Sequence, residues 1–125
     1  MELTISLGLE ARRVEIRVKG DKNDPFRMYP MDEEEMEAVM SEGQTEEEKE
    51  KLLAKFVQEN GLKGQHEFTQ LCGIWPTTKY VVVAVGVAGY GSDEVPTTKV
   101  FKHFFTSPEA TISTATCAFD IVKCK

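Results

Sequence analysis

The stretch Ile74-Trp75-Pro76-Thr77-Thr78-Lys79-Tyr80 runs directly into Val81-Val82-Val83-Ala84-Val85-Gly86-Val87, and no other segment narrows the fold so far. Ile74, Pro76, Thr78 and Tyr80 recur on alternate positions and open a β-branched run, which is the form of a tyrosine corner between the two sheets of a β-sandwich. In such a corner the ring enters the core while its hydroxyl bonds backbone a few residues upstream. The chain then turns between sheets without stranding a buried polar group. Tyr80 is thus a structural residue, with Pro76 and Ile74 shaping the turn before it. The motif names a scaffold and no chemistry.

A chain of 125 residues suits one domain with one core and is too short for two ordinary ones. Its 41% hydrophobic and 29% charged residues lie in the globular range. A formal charge of -6 argues against a general nucleic-acid binder, which gathers lysine and arginine on one face, and disfavours anionic membrane surfaces. The apolar stretches fall short of the roughly 18 to 20 residues that span a bilayer. The start, Met1-Glu2-Leu3-Thr4, lacks the basic and apolar regions of a secretion signal, so the expectation is a cytosolic protein or a piece of a larger one. Cys72, Cys117 and Cys124 have no metal-ligand spacing, and an odd count is no disulfide framework. They are expected to be buried or incidental thiols.

Leu3, Ile5, Leu7 and Leu9 alternate with smaller or polar residues, as do Val14, Ile16 and Val18; this period of two predicts half-buried strands. A turn at 20–25 leads to a third strand, Phe26 to Tyr29, ended by Pro30. The period then lengthens. Asp32 caps a helix, with Glu35 completing a capping box and Met31 and Met36 placed as a hydrophobic staple. That helix gives out near Ser41-Glu42-Gly43. Thr45 and Glu48 form a second box, for a helix reaching Asn60 with Leu52, Leu53, Phe56 and Val57 on one stripe. Gly61 is expected to take a left-handed cap that folds Leu62 back toward Val57. Strand signals return at 68–71, 80–87 and 95–106, with Gly89-Tyr90-Gly91-Ser92-Asp93 as the hairpin between the last two. The tail from Thr111 carries Cys117, Phe119 and Ile121 on alternate positions and predicts one more strand.

The strand after the corner is apolar on both faces. Tyr80, Val82 and Ala84 are expected to face the sandwich core, which leaves Val81, Val83, Val85 and Val87 on the other side. Bare, they would form an apolar patch that monomers seldom display. The second helix has the stripe to cover them.

The Val14 to Val18 strand before a turn and an aromatic strand, the acidic helices, Ile74 to Tyr80, and Val100-Phe101-Lys102-His103-Phe104-Phe105-Thr106 together resemble the fibronectin type III-like repeats of gut-bacterial cell-surface lipoproteins. In those repeats a helical insertion follows the third strand, and an aromatic followed by threonine closes the domain, as Phe105-Thr106-Ser107-Pro108 does here. Two departures stand out: a short first helix, and Trp75 where a polar or small residue is more usual. The resemblance implies an antiparallel immunoglobulin/fibronectin type III-like β-sandwich over residues 1–110, mainly β, with two helices inserted at 32–63. It makes 111–125 the possible start of a following repeat. It also implies an extracellular or cell-surface location, neighbouring repeats of the same parent protein as partners, and no catalytic residues.

The remaining residues are weighed against ordinary roles. Calcium needs six to eight converging oxygens, whereas the carboxylates of 32–50 are strung along helices and diverge. They favour helix N-termini, and Glu47 with Lys51 makes a four-residue pair. His66 and His103 are the only histidines, and neither has a neighbouring nucleophile motif or metal-ligand partner. No metal or cofactor is expected. Gly86, Gly89 and Gly91 precede no helix and are bend glycines. Trp75 and Tyr90 are the aromatics that could stack on a sugar, against the plainer reading of a packed corner residue and a turn residue. The expectation is a non-enzymatic spacer. The alternatives are a glycan- or protein-binding module using the 89–93 hairpin and exposed aromatics, a strand donor whose tail pairs with a sheet edge, and a small enzyme with a pocket at His66 or His103.

Overall fold

The computed structural model describes residues 3–10, 12–20, 24–88, 91 and 93–109, and the backbone of 122–124. Three strands come first, β1 (Thr4–Leu9), β2 (Arg13–Lys19) and β3 (Pro25–Asp32). Helices α1 (Glu33–Met40) and α2 (Glu46–Asn60) follow, then β4 (Leu62–Gln65), β5 (Glu67–Ile74), β6 (Lys79–Gly86), β7 (Phe101–Thr106) and the short β8 (Val122–Cys124). The protein is mainly β. All pairing is antiparallel, in the order β1-β2-β5-β8 in one sheet and β4-β3-β6-β7 in the other.

Side-chain alternation divides the interior in two. Between the sheets lie Val14, Ile16 and Val18 of β2, Phe26 and Met28 of β3, and Tyr80 and Val82 of β6, all wholly buried. On the outer face of β6, Val81, Val83, Val85 and Val87 form a second core with Met31, Met36, Leu53 and Val57. The helices therefore roof the second sheet. Each wholly buried leucine or valine in such a cluster is worth about 1.5–3 kcal/mol relative to exposure.

Both helix starts follow their side chains. Asp32 Oδ1 accepts the Glu35 amide at 2.7 Å and Thr45 Oγ1 accepts the Glu48 amide at 3.1 Å. Met31 and Met36 share the outer core, as a staple requires. The end of α2 corrects the sequence reading. Gly61 is extended, with φ -74° and ψ 159°, and has no left-handed cap. Glycine is needed there for room: a Cβ would lie 2.4 Å from the Val57 carbonyl oxygen and 3.0 Å from that of Met28. Jammed against β3, the chain passes straight into β4, whose Leu62 pairs with Met28. Periodicity could not show a strand this short.

Two further boundaries move. β3 continues through Pro30 to Asp32, because β4 pairs only with residues 25–28 and Pro30 faces no strand on that side. β7 begins at Phe101, not Val95. Upstream, Val87 bridges Pro96, and Gly86 N–H donates to the Thr98 hydroxyl at 2.9 Å. A proline without N–H and a side chain standing in for backbone end the ladder there.

The expectation for the cysteines also changes: Cys72, wholly buried between the sheets, is disulfide-bonded. An odd count conceals one bonded pair as readily as none. Residues 111–121 of the tail lie outside the described set, while the backbone of 122–124 pairs with β5 of the same sheet.

Candidate functional site

A dense polar construction joins the 74–80 corner to the end of β7. The Tyr80 ring is wholly buried, and its hydroxyl accepts the Trp75 amide at 2.8 Å. Phe105 stacks on the ring with centroids 5.6 Å apart. Burial pushes the Tyr80 phenol up from its usual range, with the Trp75 amide acting in the opposite sense.

Ser107 completes the joint. Its hydroxyl donates to the Trp75 carbonyl at 2.6 Å and accepts the Thr78 amide at 2.8 Å, and its own amide donates to the Thr78 carbonyl at 2.9 Å. Thr77 N–H reaches the Pro108 carbonyl at 3.2 Å from a residue with φ of 50°. The left-handed turn at Thr77 is thus held from both sides. Because the Ser107 hydroxyl is engaged with backbone in both directions, its chemistry here is fastening. Sequence reading noted Ser107 only within the closing motif. The signal was a small polar residue just past a strand that pairs with the corner strand.

Ile74 is wholly buried in the inter-sheet core, and the Trp75 indole is half-buried against it. Pro76 sits in the turn, its carbonyl accepting the Thr78 hydroxyl at 2.9 Å. Tyr90, with Gly89 and Ser92 of the 89–93 hairpin, lies outside the described residues.

The histidines are far apart in role. His66 is exposed at the tight β4–β5 turn with φ of 65°, its carbonyl accepting the Gly20 amide at 2.7 Å. His103 is half-buried on β7, where it lines a shallow groove with Leu3, Ile5, Phe101, Lys99 and Lys102. Among the described residues no group of three or more His, Cys, Asp or Glu is placed to hold a metal ion. Glu47 and Lys51 form their ion pair at 3.7 Å on the solvent side of α2.

Two polar groupings were not expected from sequence. Arg27 of β3 meets Glu94 in a bidentate pair, Nε to Oε2 at 2.9 Å and Nη2 to Oε1 at 2.7 Å, with Glu94 only 3% exposed. Arg27 Nη1 also donates to the Gly61 carbonyl at 3.1 Å, and the Gln58 amide donates to the Glu94 carbonyl. The pair ties the 91–98 loop to the end of α2. Its trace in the sequence is a charged residue on a face where Tyr29 and Met31 go under the helices. At the start of α1, burial and then the Asp32 charge raise Glu35 above the usual carboxylate range, opposed by the hydrogen bond from Tyr29. Burial, followed by the Glu35 charge, raises Tyr29.

No family model matches the chain, and neither the curated proteins nor the solved structures contain a significant match to it. Among the described residues no helix is long and apolar enough to cross a membrane.

Proposed function

We propose that the chain is a non-catalytic spacer module, a fibronectin type III-like sandwich with a helical roof, serving in an extracellular or cell-surface protein beside neighbouring repeats. The observation that carries this reading is the fastened corner between the sheets, where the Tyr80 hydroxyl engages the Trp75 backbone and the Ser107 hydroxyl engages that of Trp75 and Thr78, so that these polar groups serve the scaffold. Thr4 pairs with Lys19, whereas Leu9 pairs with Val14 beside Ile74, and Thr106 pairs with Lys79. Leu3 therefore lies at the pole away from the corner, and 107–109 lie at the corner itself. From the corner the chain returns as β8, which runs back along β5 from Ile74 toward Cys72.

Three further features support it. The strand order separates β1-β2-β5-β8 from β4-β3-β6-β7, with the corner tyrosine opening β6. Ser107 bolts the end of β7 to that corner. A disulfide at Cys72 belongs to an oxidising compartment, which suits the cell surface.

The test is small-angle scattering from two copies of the full chain joined end to end. The spacer reading expects a longest dimension roughly double that of one copy, as for two domains in line. A pair folded side by side, little longer than one copy, would count against it.

A further inference from the structure

We infer that the disulfide of Cys72 is made with Cys124 and that this bond straps β8 to the edge of β5. Cys72 is disulfide-bonded, and the chain offers it Cys117 or Cys124. The β5–β8 register sets the backbone of Cys124 opposite Cys72, with Lys123 opposite Gly73 and Val122 opposite Ile74. Directly opposed residues in an antiparallel ladder have Cα atoms about 4.5–5.5 Å apart, within the roughly 4.4–6.8 Å that disulfides span. The pairing already observed thus brings Cys124 to bonding distance. Cys117 precedes the paired segment, and nothing in the register brings it to Cys72.

The strap has a task. β5 would otherwise be an edge strand of the first sheet, offering unpaired N–H and C=O groups to any extended chain. A three-residue strand adds too few ladder bonds to hold itself in place. A covalent bond supplies what the ladder lacks. Two S–H bonds are lost and one S–S bond forms, while two electrons and two protons pass to a disulfide oxidant, which becomes a pair of thiols. A dithiol reductant reverses the step and frees the strand. The assignment is independent of the spacer reading, since it concerns the covalent state of one edge and not the arrangement of successive modules.

Peptide mapping without reduction tests the pairing. Trypsin cuts after Lys123 and so parts Cys117 from Cys124. With free thiols alkylated first, the expected species is peptide 64–79 linked to Cys124-Lys125, with Cys117 carrying the label. Peptide 64–79 linked to 103–123 would overturn the assignment. Hydrogen exchange then tests the strap: on reduction, the Gly73 amide, which faces β8 opposite Lys123, should exchange on the order of tenfold faster, while Ile74, bonded to the Arg12 carbonyl, and 80–86 keep their protection, and equally so in Cys117→Ser. Unchanged exchange at Gly73 would reject the strap.

Discussion

The outer faces of the two sheets have opposite characters. On the first sheet, β2 turns Arg13, Glu15, Arg17 and Lys19 outward, all exposed or half-exposed, while Val14, Ile16 and Val18 face in. On the second, β6 is buried on both sides, with Val81, Val83 and Val85 as inaccessible as Tyr80 and Val82. Alternation broken by valine on every position is what a roofed sheet requires, and alternation kept is what a solvated one allows. The difference locates the helical insertion: α1 and α2 lie where β6 needs cover and leave the first sheet bare.

The contrast can be broken at chosen residues. Val83→Asp places an unpaired carboxylate in the outer core and should cost on the order of 4 kcal/mol in urea unfolding. A loss below about 1 kcal/mol, typical of surface positions, would mean the face is wet. Glu94→Ala strands the Arg27 guanidinium beneath the end of α2 and should cost about 3 kcal/mol; a silent substitution would show the pair to be solvated. Within the inter-sheet core, Tyr80→Phe keeps the ring and removes the acceptor of the Trp75 amide. That change should lower stability by about 1–3 kcal/mol, with faster exchange of the Trp75 amide as its local signature.

A smaller effect comes from Glu35. Its carboxyl is held above the ordinary range chiefly by burial and next by Asp32, so the folded protein binds that proton more readily than the unfolded chain. The associated stability is present below the unfolded pKa and is lost as pH rises through the folded one. Unfolding titrations from acid to neutral pH should therefore show the wild type losing stability relative to Glu35→Gln. A parallel pair of curves would refute the linkage. The smallest effect belongs to the bare face: Arg17→Asp should stay within about 0.5 kcal/mol of wild type.

Much of this architecture is legible in the residues. The strands β1 and β2 follow from alternation, β6 from its β-branched run, both N-caps from Asp32 and Thr45, and the roof from the surplus valines Val81, Val83 and Val85 on β6 with Val87 just beyond it. The tyrosine at position 80 betrays the crossing between sheets because few other patterns put a phenol at the head of a β-branched run. What stayed hidden depends on contacts distant in sequence. The joining of Ser107 to Trp75 and Thr78, the meeting of Arg27 with Glu94, and the bonding of Cys72 have no local period to announce them. β4 is invisible for a different reason, since four residues with a glycine among them carry no pattern, and only the tight approach at Gly61 dictates that the chain continues as a strand. Of the candidate ligand aromatics, Trp75 is half-buried against the inter-sheet core and Tyr90 lies outside the described residues.

The account rests on α2 lying over the outer valines of β6, and hydrogen exchange across residues 46–60 in Val83→Asp measures that most directly. Loss of protection along α2, with the β2 and β5 amides still protected, is the predicted result. Protection of 46–60 equal to that of the wild type would contradict the roof and the two-core architecture with it.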